Sequence, residues 1–409
     1  MADKAVRALY ISYNAITEPI VESQVIPYLR ELSKKKIKFY LLTYEKSDMT
    51  KEAKEQLKER LKKESNLEWF SLRYHKKPVI PATFFDIILG CFYSMYIAAK
   101  NRVGVIHARA IVAALAGFPA AKLLGRKFIF DTRGIDSEEY VDAGLWKRDG
   151  LKHKIAGFLE GVLTKSADHV IVLTNKFLGI LKEKYRNKNI SFSVIPCAVD
   201  TDEFGVGSGN PSLLAENFGI RDSFVIVYIG SLGTWYMLEE MVDFFKVADK
   251  FVENAHFLLL TPAKRDYVQD ILDKKGISAC QVSVHTVKHS EIPKYLPACN
   301  LGIFFIKPVF SKLSSSPVKF AEYLSSRLPV VINSGIGDTD QIVKRRNLGA
   351  VIDKFCEESY SKAIKAVLDM LRSEKDALRS RCREAAEKEL SLSAAVERYH
   401  EIYKGLLLK

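Results

Sequence analysis

Cysteine is scarce in this chain of 409 residues, and its six cysteines are scattered. No two of them form a CxxC pair, and none lies at a zinc-like spacing from a histidine. This distribution argues against a disulfide-stapled secreted domain and against a structural zinc module. The N-terminal residues also lack the order of charged, apolar and cleavage-site segments that marks a signal peptide. We therefore expect reduced thiols and a cytoplasmic protein.

Several catalytic motifs are also missing. The sequence has no Walker-type phosphate loop, no HExxH motif, no GxSxG motif and no aromatic RNA-binding signature. No group of His, Cys, Asp and Glu residues shows the spacing of a metal site. We therefore expect an activity that requires neither a metal nor a bound cofactor, and we expect no nucleic-acid partner.

Long hydrophobic runs are rare as well. The best candidate for a membrane span is Val79–Ala99, which at about 20 residues has nearly the length that a span requires. Pro81 lies at its start, Asp86 and Gly90 interrupt it, and a strand-like segment follows directly. We interpret this segment as a crossover helix packed on a sheet. Contact with a membrane interface is the alternative.

The charge balance is far from neutral, with a net charge of +13 and a pI of about 9.2. Such a surplus favours anionic partners, among them acidic lipid headgroups and phosphorylated substrates. Lysines concentrate in the first hundred residues, in a cluster at Lys34–Lys38, a Lys/Glu-rich run over Lys46–Lys63, and the pair Lys76 and Lys77. Two interpretations stay open: a solvated helix face, or a basic face of the first domain that contacts the inner surface of a membrane.

Short apolar segments alternate with helix-length amphipathic patterns along most of the chain, which is typical of parallel sheets covered by helices on both faces. In the first half we predict strands at Arg7–Ser12, Lys38–Thr43, Val103–His107, Phe128–Asp131, His169–Leu173 and Phe192–Ile195. In the second half we predict them at Phe224–Ile229, His256–Leu260, Val282–His285, Leu301–Phe305, Pro329–Ile332 and Ala350–Ile352.

A stretch of small, turn-forming residues, Gly205–Pro211, separates the two patterns. We therefore predict an α/β fold of two Rossmann-like, doubly wound domains that face each other across a cleft. The predicted ranges are 1–200 for the N-terminal domain, 201–222 for a linker, 223–386 for the C-terminal domain and 387–409 for a C-terminal helix. This helix closes the second domain or crosses back to the first. Ligands of such sheets bind at the carboxyl ends of the strands.

The strongest local site is the segment from Ser314 to Tyr323, in which three serines and a proline precede a predicted helix. Proline favours the first helical position and serine caps free amide groups, so this helix start is suited to binding an anion. Lys319 adds a cation one turn into the helix, and Glu322 lies on the same helical face. A capped helix with a surface Lys–Glu pair is the alternative.

Two loops that follow predicted strands belong to the same edge of the second sheet. Gly230 and Ser231 follow one strand, and two glycines within that loop allow a ligand to approach the backbone closely. The loop Asn333–Asp338 follows another strand and is also built from small residues. An ordinary tight turn explains each loop equally well when it is considered alone.

In the first half, two strands end in polar residues. Arg109 ends one strand, together with His107, and Arg133 follows Asp131 at the end of the next. Arginine is seldom buried without an anionic partner, so two arginines at neighbouring strand ends indicate a binding site. Glu138 follows on a loop, where it orients an acceptor or is simply solvated.

These segments, in this order, resemble the glycosyltransferases of family four, which have the two-Rossmann architecture called GT-B. The resemblance runs almost end to end. It rests on His107–Arg109, Phe130–Gly134, Gly144–Trp146, Val194–Asp200, Tyr228–Tyr236, Ser315–Leu324, Leu328–Val331 and Asn333–Asp338. They are most similar to a bacterial branch that acts in surface polysaccharide assembly.

The resemblance implies a reaction and a placement of the ligands. A nucleoside diphosphate sugar of the UDP or GDP type would be the donor, and its sugar would pass to a glycan or a lipid-linked acceptor with retention of anomeric configuration. The donor diphosphate and sugar would lie at the second domain's helix start, near Ser314, Ser315 and Ser316. Glu322 would bind the ribose, and the loop Thr286, Val287 and Lys288 would approach the base. Arg109, Arg133 and Glu138 would serve the acceptor and catalysis.

The chain departs from the family pattern at four positions. Ser314 occupies the position of a glutamate. In the loop with Gly230, Ser231 occupies the position of an arginine, and Trp235 or Tyr236 stands near that of a lysine. Lys319, Lys264 and Arg265 are the cations we expect to compensate at the diphosphate. Arg109 stands where many relatives have a histidine. These departures keep two alternatives open, a nucleotide-sugar 2-epimerase and a non-catalytic nucleotide-sugar-binding protein.

Overall fold

The computed structural model describes residues 6–46, 49–205 and 210–407. The chain divides into two compact units: the first comprises the chain up to Pro196 together with the segment from Leu392, and the second comprises Cys197–Ser391. Parts of the predicted linker 201–222 are helical, and residues 206–209 of it lie outside the described residues.

The first unit is built on a seven-stranded parallel sheet. Its strands are β1 (Val6–Ser12), β2 (Ile37–Glu45), β3 (Leu67–Arg73), β4 (Val105–Arg109), β5 (Lys127–Asp131), β6 (His169–Val172) and β7 (Phe192–Val194). Their spatial order is β3-β2-β1-β4-β5-β6-β7, and neighbouring strands pair in parallel. Strand β3 lies at the edge and was missed in the sequence.

Helices cover both faces of this sheet. They are α1 (Pro19–Gln24), α2 (Ile26–Lys34), α3 (Lys51–Ser65), α4 (Val79–Lys100), α5 (Ala110–Leu123), α6 (Asp136–Asp142), α7 (Leu151–Ser166) and α8 (Asn175–Lys184). Crossovers between parallel strands are right-handed. Successive strands are added toward one edge of the sheet from β1 to β3 and toward the other edge from β4 to β7. The helices α1 to α3 therefore lie on one face of the sheet, and α4 to α8 lie on the other.

The second unit holds a six-stranded parallel sheet. Its strands are β8 (Phe224–Ile229), β9 (Ala255–Leu260), β10 (Val282–His285), β11 (Leu301–Phe304), β12 (Val330–Asn333) and β13 (Gly349–Ile352). The order is β10-β9-β8-β11-β12-β13, the doubly wound Rossmann order. The fully buried Ile226, Phe257 and Val331 show that its strands are covered on both faces, which explains their apolar sequences.

The helices of this unit are α9 (Thr201–Gly205), α10 (Ser212–Phe218), α11 (Leu238–Asp249), α12 (Arg265–Lys275), α13 (Ile292–Tyr295), α14 (Val318–Ser325), α15 (Thr339–Arg346) and α16 (Glu357–Glu389). The last helix, α17 (Leu392–Leu407), belongs to the first unit and packs against α2. The predicted α/β fold with two Rossmann-like domains is confirmed.

Candidate functional site

The carboxyl edge of the second sheet gathers several of the predicted residues. Strands β8 and β11 are neighbours where the strand order reverses, and such a switch point is where open α/β sheets bind ligands. Gly230 directly follows strand β8 and has a φ of +101°, which favours glycine. The Tyr228 hydroxyl donates to the Ser231 carbonyl at 2.6 Å and thereby fixes the loop that follows.

Lys319 reaches this loop from α14. Its Nζ donates to the Tyr228 hydroxyl at 3.0 Å and lies 3.4 Å from the centroid of the Tyr236 ring. The same Nζ would be 3.4 Å from a Cβ atom built on Gly230, so the cation sits beside the glycine backbone. Burial lowers the pKa of Lys319 well below its ordinary value, and the nearby charge of Glu322 opposes this shift.

The start of α14 differs from the predicted capped helix. Pro317 is the N-cap residue, and no side chain accepts a hydrogen bond from the first helical amides. Among the described residues, the amide N–H groups of Val318 and Lys319 have no acceptor. Two amide donors at a helix N-terminus and a buried ammonium group therefore lie on the same short segment, an arrangement that attracts anions.

The three serines before this helix are placed differently from one another. The Ser314 hydroxyl is buried and donates to the Ser311 carbonyl at 2.6 Å, and the Ser316 hydroxyl accepts from the Cys197 amide at 3.1 Å. The Ser315 amide donates to the Lys312 carbonyl. The predicted contacts of these serines with a diphosphate or a sugar stay predictions, and two of the hydroxyls already bond within the second unit.

Glu322 is buried on α14, so the alternative of a surface Lys–Glu pair is wrong. Its Oε1 lies 2.6 Å from Nε2 of His289, and no other hydrogen bond to its carboxylate exists among the described residues. His289 was missed in the sequence because nothing in its neighbours indicates a contact with a residue 33 positions away. The carboxylate is thus oriented by one half-exposed histidine, and its predicted role at a ribose stays a prediction.

The remaining predicted donor residues follow β9 and β10 at the same sheet edge. Lys264 and Arg265 are exposed at the start of α12, and the Arg265 charge adds to burial in lowering the pKa of His285. The Thr286 hydroxyl donates to the Thr261 carbonyl at 3.0 Å, which ties the two loops together. Val287 is half-buried, and the Lys288 amide donates to the Glu291 carboxylate.

The loop Asn333–Asp338, which follows β12, is bonded to the loop that follows β11. The Asn333 side chain accepts from the Ile306 amide at 2.8 Å and donates to the Ile306 carbonyl at 2.9 Å. The Gly337 amide donates to the Lys312 carbonyl at 2.8 Å. These bonds connect the loops after β11 and β12, which are the loops that precede α14 and α15.

The first unit has its own polar cluster at the carboxyl edge of its sheet. Arg109 ends β4 and is buried, and its Nη1 has no hydrogen-bond partner within the described part of the chain. Asp131 ends β5, and the Nη1 atom of Arg133 lies 3.4 Å from its carboxylate. Burial alone would raise the pKa of Asp131, but Arg133, His107 and Arg109 together lower it to about 2. The carboxylate is therefore ionised throughout the neutral range.

Two tyrosines of α17 complete this cluster. The Tyr403 hydroxyl lies 2.7 Å from Nδ1 of His107, and the Tyr399 hydroxyl donates to Asp131 at 3.3 Å. Burial lowers the pKa of His107, so the imidazole is neutral near pH 7. These contacts span nearly 300 residues of sequence, and no local pattern indicates them.

Glu138 is not beside Asp131 in the hydrogen-bond network. Its carboxylate lies 3.0 Å from Nη1 of Arg148 and 3.0 Å from Nε2 of His153. These contacts connect α6 to the start of α7. Its predicted role toward an acceptor stays a prediction, and the structure gives it a bridging role.

Comparisons with known proteins agree with this architecture. Residues 21–203 match the model of Glycosyltransferase Family 4, whereas curated proteins gave no match to the chain. Two similar solved structures are a sucrose-phosphate synthase from Thermosynechococcus elongatus and a glycosyltransferase from Rickettsia africae. The first has a TM-score of 0.74 at 13% identity and covers 98% of this chain and 99% of its own. The second has a TM-score of 0.73 at 15% identity and covers 99% of both.

A third similar structure is HepE from Anabaena in complex with UDP and glucose. Its TM-score is 0.68 at 13% identity, and the match covers 98% of this chain and 99% of that one. At such identities the likeness shows the fold. The chain therefore has the GT-B fold of these structures, and its first half carries the glycosyltransferase family match.

Proposed function

We propose that this protein is a glycosyltransferase that takes its sugar from a nucleoside diphosphate sugar bound to the second unit. One observation carries the proposal. The amides of Val318 and Lys319 have no acceptor among the described residues, and the buried ammonium group of Lys319 lies beside Gly230, whose lack of a side chain leaves the backbone open. A diphosphate is the ligand that uses amide donors, a cation and a close backbone approach together.

The chemistry follows from the same groups. The barrier to sugar transfer lies largely in the departure of the diphosphate from an oxocarbenium-like sugar. Amide dipoles and a cation fixed at the leaving group stabilise the charge that develops there. The family resemblance further suggests retention of anomeric configuration, and we include retention and a hexose donor in the proposal.

We also assign the acceptor to the polar cluster of the first unit. Arg109 is buried in this cluster, and its Nη1 atom has no hydrogen-bond partner within the described residues. A buried cation without a full set of partners is stabilised by an anionic ligand group. The proposed acceptor, a glycan or a lipid-linked molecule, therefore bears a phosphate or a carboxylate.

The donor site is tested by calorimetry with UDP, GDP and their sugar conjugates. Wild-type protein should bind one nucleotide class, and Glu322→Gln should weaken binding at least about tenfold, because a charged hydrogen bond to a ribose hydroxyl contributes roughly 1.5–3 kcal/mol. Glu253→Gln, at an exposed position of the same unit, is the matched control. Unchanged affinity in Glu322→Gln would contradict the placement of the ribose.

The reaction is tested separately by analysing the sugar products. Incubation with donor alone should leave the sugar unisomerised, whereas a 2-epimerase would convert it; the glycosyltransferase family match favours transfer. With an acceptor, nuclear magnetic resonance of the product should show the anomeric configuration of the donor. Nucleotide binding without hydrolysis, and without transfer to any acceptor, would favour the non-catalytic alternative. The departures at Ser231 and Ser314 would then explain the loss of activity.

A further inference from the structure

Helix α4 presents its large apolar side chains to solvent and turns its small ones inward. Its buried residues include Ala82, Gly90, Ser94 and Ala98. Its exposed large apolar residues are Val79, Ile80, Phe84, Phe85, Ile88, Phe92, Tyr93 and Tyr96. A helix on a water-facing surface has the reverse pattern. Among the described helices it alone has the length and apolar composition of a membrane span.

The inward side of α4 is fixed to the first unit. Asp86 is fully buried and accepts from the Tyr13 hydroxyl at 2.7 Å, and its other oxygen lies 2.5 Å from Nδ1 of His75. A Cβ atom on Gly90 would come within 2.0 Å of the Tyr44 hydroxyl and 2.7 Å of the Ala116 Cβ. The helix therefore lies along the sheet through close contact, and only its outer side is available to a partner.

The exposed apolar surface continues onto neighbouring helices. Helix α5 packs against both α4 and α7, and all three lie on the same face of the sheet. The end of α5 exposes 74% of Leu123, and the first half of α7 exposes Leu151, Ile155 and Phe158. We call the outer surface of α4, α5 and α7 the lipid face. With roughly 100 Å² from each large residue, α4 alone presents on the order of 800 Å², more than the largest apolar patch of a typical monomer.

The charges on the lipid face have a single sign. Every exposed charged residue of α4, α5 and α7 is a lysine, and these are Lys100, Lys122, Lys152, Lys154 and Lys165. The two acidic residues of these helices are turned away. Asp86 is buried as described, and Glu160 accepts from the Ser137 amide and hydroxyl at 2.8 Å. A protein partner would have to match apolar rings and lysines residue by residue, whereas an anionic lipid surface matches both at once.

We propose that the lipid face docks the protein on an anionic bilayer, with the rings of α4 and α7 in the headgroup region and the lysines on the phosphates. This surface is not the basic surface that the sequence suggested. The lysine clusters of α2 and α3 lie on the opposite face of the sheet, where α3 mixes lysines with glutamates. A solvated helix suits that composition.

The position of the lipid face indicates the chemical class of the acceptor, and this inference rests on the proposed function. Helices α4 and α5 follow strand ends, and α7 leads directly into the start of β6, so the first residues of all three helices lie toward the carboxyl edge of the sheet. Helix α5 begins directly after Arg109, and Leu151 begins α7. A bilayer on the lipid face would thus reach the edge that holds the arginine cluster. The acceptor class that fits is a lipid whose phosphate-bearing headgroup reaches Arg109 while its chains stay in the bilayer.

Vesicle flotation tests the docking without any nucleotide. Wild-type protein should float with phosphatidylglycerol vesicles and much less with phosphatidylcholine vesicles, and added salt should weaken binding. The triple variant Phe84→Ser, Phe92→Ser, Phe158→Ser should lower the partition coefficient at least about tenfold, since it removes three exposed rings. Lys152→Glu with Lys154→Glu should also lower it at least about tenfold on phosphatidylglycerol. Lys58→Glu with Lys62→Glu, on α3, is the matched control and should bind like wild type.

Two results would overturn the inference: wild-type protein that stays unbound on phosphatidylglycerol, or a triple variant that floats as wild type does. Light scattering adds a third, a wild-type dimer that the triple variant dissociates, which would make this surface an interface between two copies. Unfolding curves confirm that each variant is folded. Calorimetry of the wild-type protein with UDP and with GDP separates the two proposals, because failure to bind either nucleotide would refute the donor site and leave the docking result intact.

Discussion

Replacing Lys319 by methionine should weaken nucleotide binding and stabilise the free protein. Methionine keeps an unbranched apolar stem between the rings of Tyr228 and Tyr236 and removes only the charge and its hydrogen bond. A hydrogen bond from a charged donor to a phosphate contributes about 1.5–3 kcal/mol. The Kd for UDP should therefore rise roughly 10- to 150-fold.

The effect on stability has the opposite sign. Because burial lowers the folded-state pKa of Lys319, the unfolded chain binds this proton more strongly than the folded chain does. The folded state therefore loses stability as the pH falls from the unfolded pKa, near 10.4, to the lowered folded value, and the full penalty persists below that value. Lys319→Met removes it. Even about 1 kcal/mol of relief would raise the Tm by roughly 2–4 °C for a unit of this size.

Calorimetry with UDP and thermal unfolding at pH 7 measure the two effects on the same protein. Lys294→Met, at an exposed lysine of the same unit, should change neither. A variant that loses both affinity and stability would show that Lys319 serves the packing of α14 rather than a ligand. A variant with unchanged Kd would refute the diphosphate site at Gly230.

Three further predictions concern the first unit. Gly90→Leu should destabilise the protein by about 1–3 kcal/mol in denaturant unfolding, because its side chain would overlap Tyr44 and Ala116; a wild-type midpoint would contradict the packing of α4. Asp136→Asn should flatten the pH dependence of stability between about pH 4 and 7. Burial, with the Glu160 charge, raises the pKa of Asp136 to about 7, so wild-type stability should fall as the pH rises through that window, and a parallel slope in the variant would refute this. Arg109→Met should raise the KM for acceptor and leave the Kd for UDP unchanged, and a loss of UDP affinity would contradict its assignment to the acceptor.

Reasoning from the sequence found the strands that are buried on both faces, together with the half-buried edge strands β7, β10 and β13. A segment such as Phe224–Ile229 contains only residues that suit such a strand, so its pattern is unambiguous. Strand β3 was missed because its sequence, Leu67–Arg73, mixes apolar and charged residues and directly follows a Lys/Glu-rich helix. An edge strand is half-exposed, and its alternation is short enough to be read as the continuation of a surface helix.

The candidate site shows where local reasoning ends. The sequence places Lys319 and Glu322 on one helical face, but it does not say whether that face is buried, and it predicted a serine cap that the structure lacks. His289 beside Glu322, and Tyr399 and Tyr403 around His107, come from distant parts of the chain. Such contacts depend on how the sheet brings loops together, which no spacing in the sequence encodes.

The two departures in the loop after β8 are connected to the position of the lysines. Where the family pattern has an arginine and a lysine, this loop carries Ser231 and the aromatic residues Trp235 and Tyr236. The ring of Tyr236 lies under Nζ of Lys319, and the ring of Trp235 lies 3.7 Å from Nζ of Lys312. Lys312 precedes α14 and Lys319 lies in its first turn, and cation–π contacts hold both side chains against the loop after β8. The loop thus contributes rings that position charges instead of charges of its own. A ring exerts this attraction without adding a negative charge at the site. Substituting an arginine at Ser231 would add a cation next to Lys319 and lower the pKa of Lys319 further. We therefore infer that Ser231 and the two aromatic residues belong together: they let the lysines, instead of a loop arginine, bind the diphosphate.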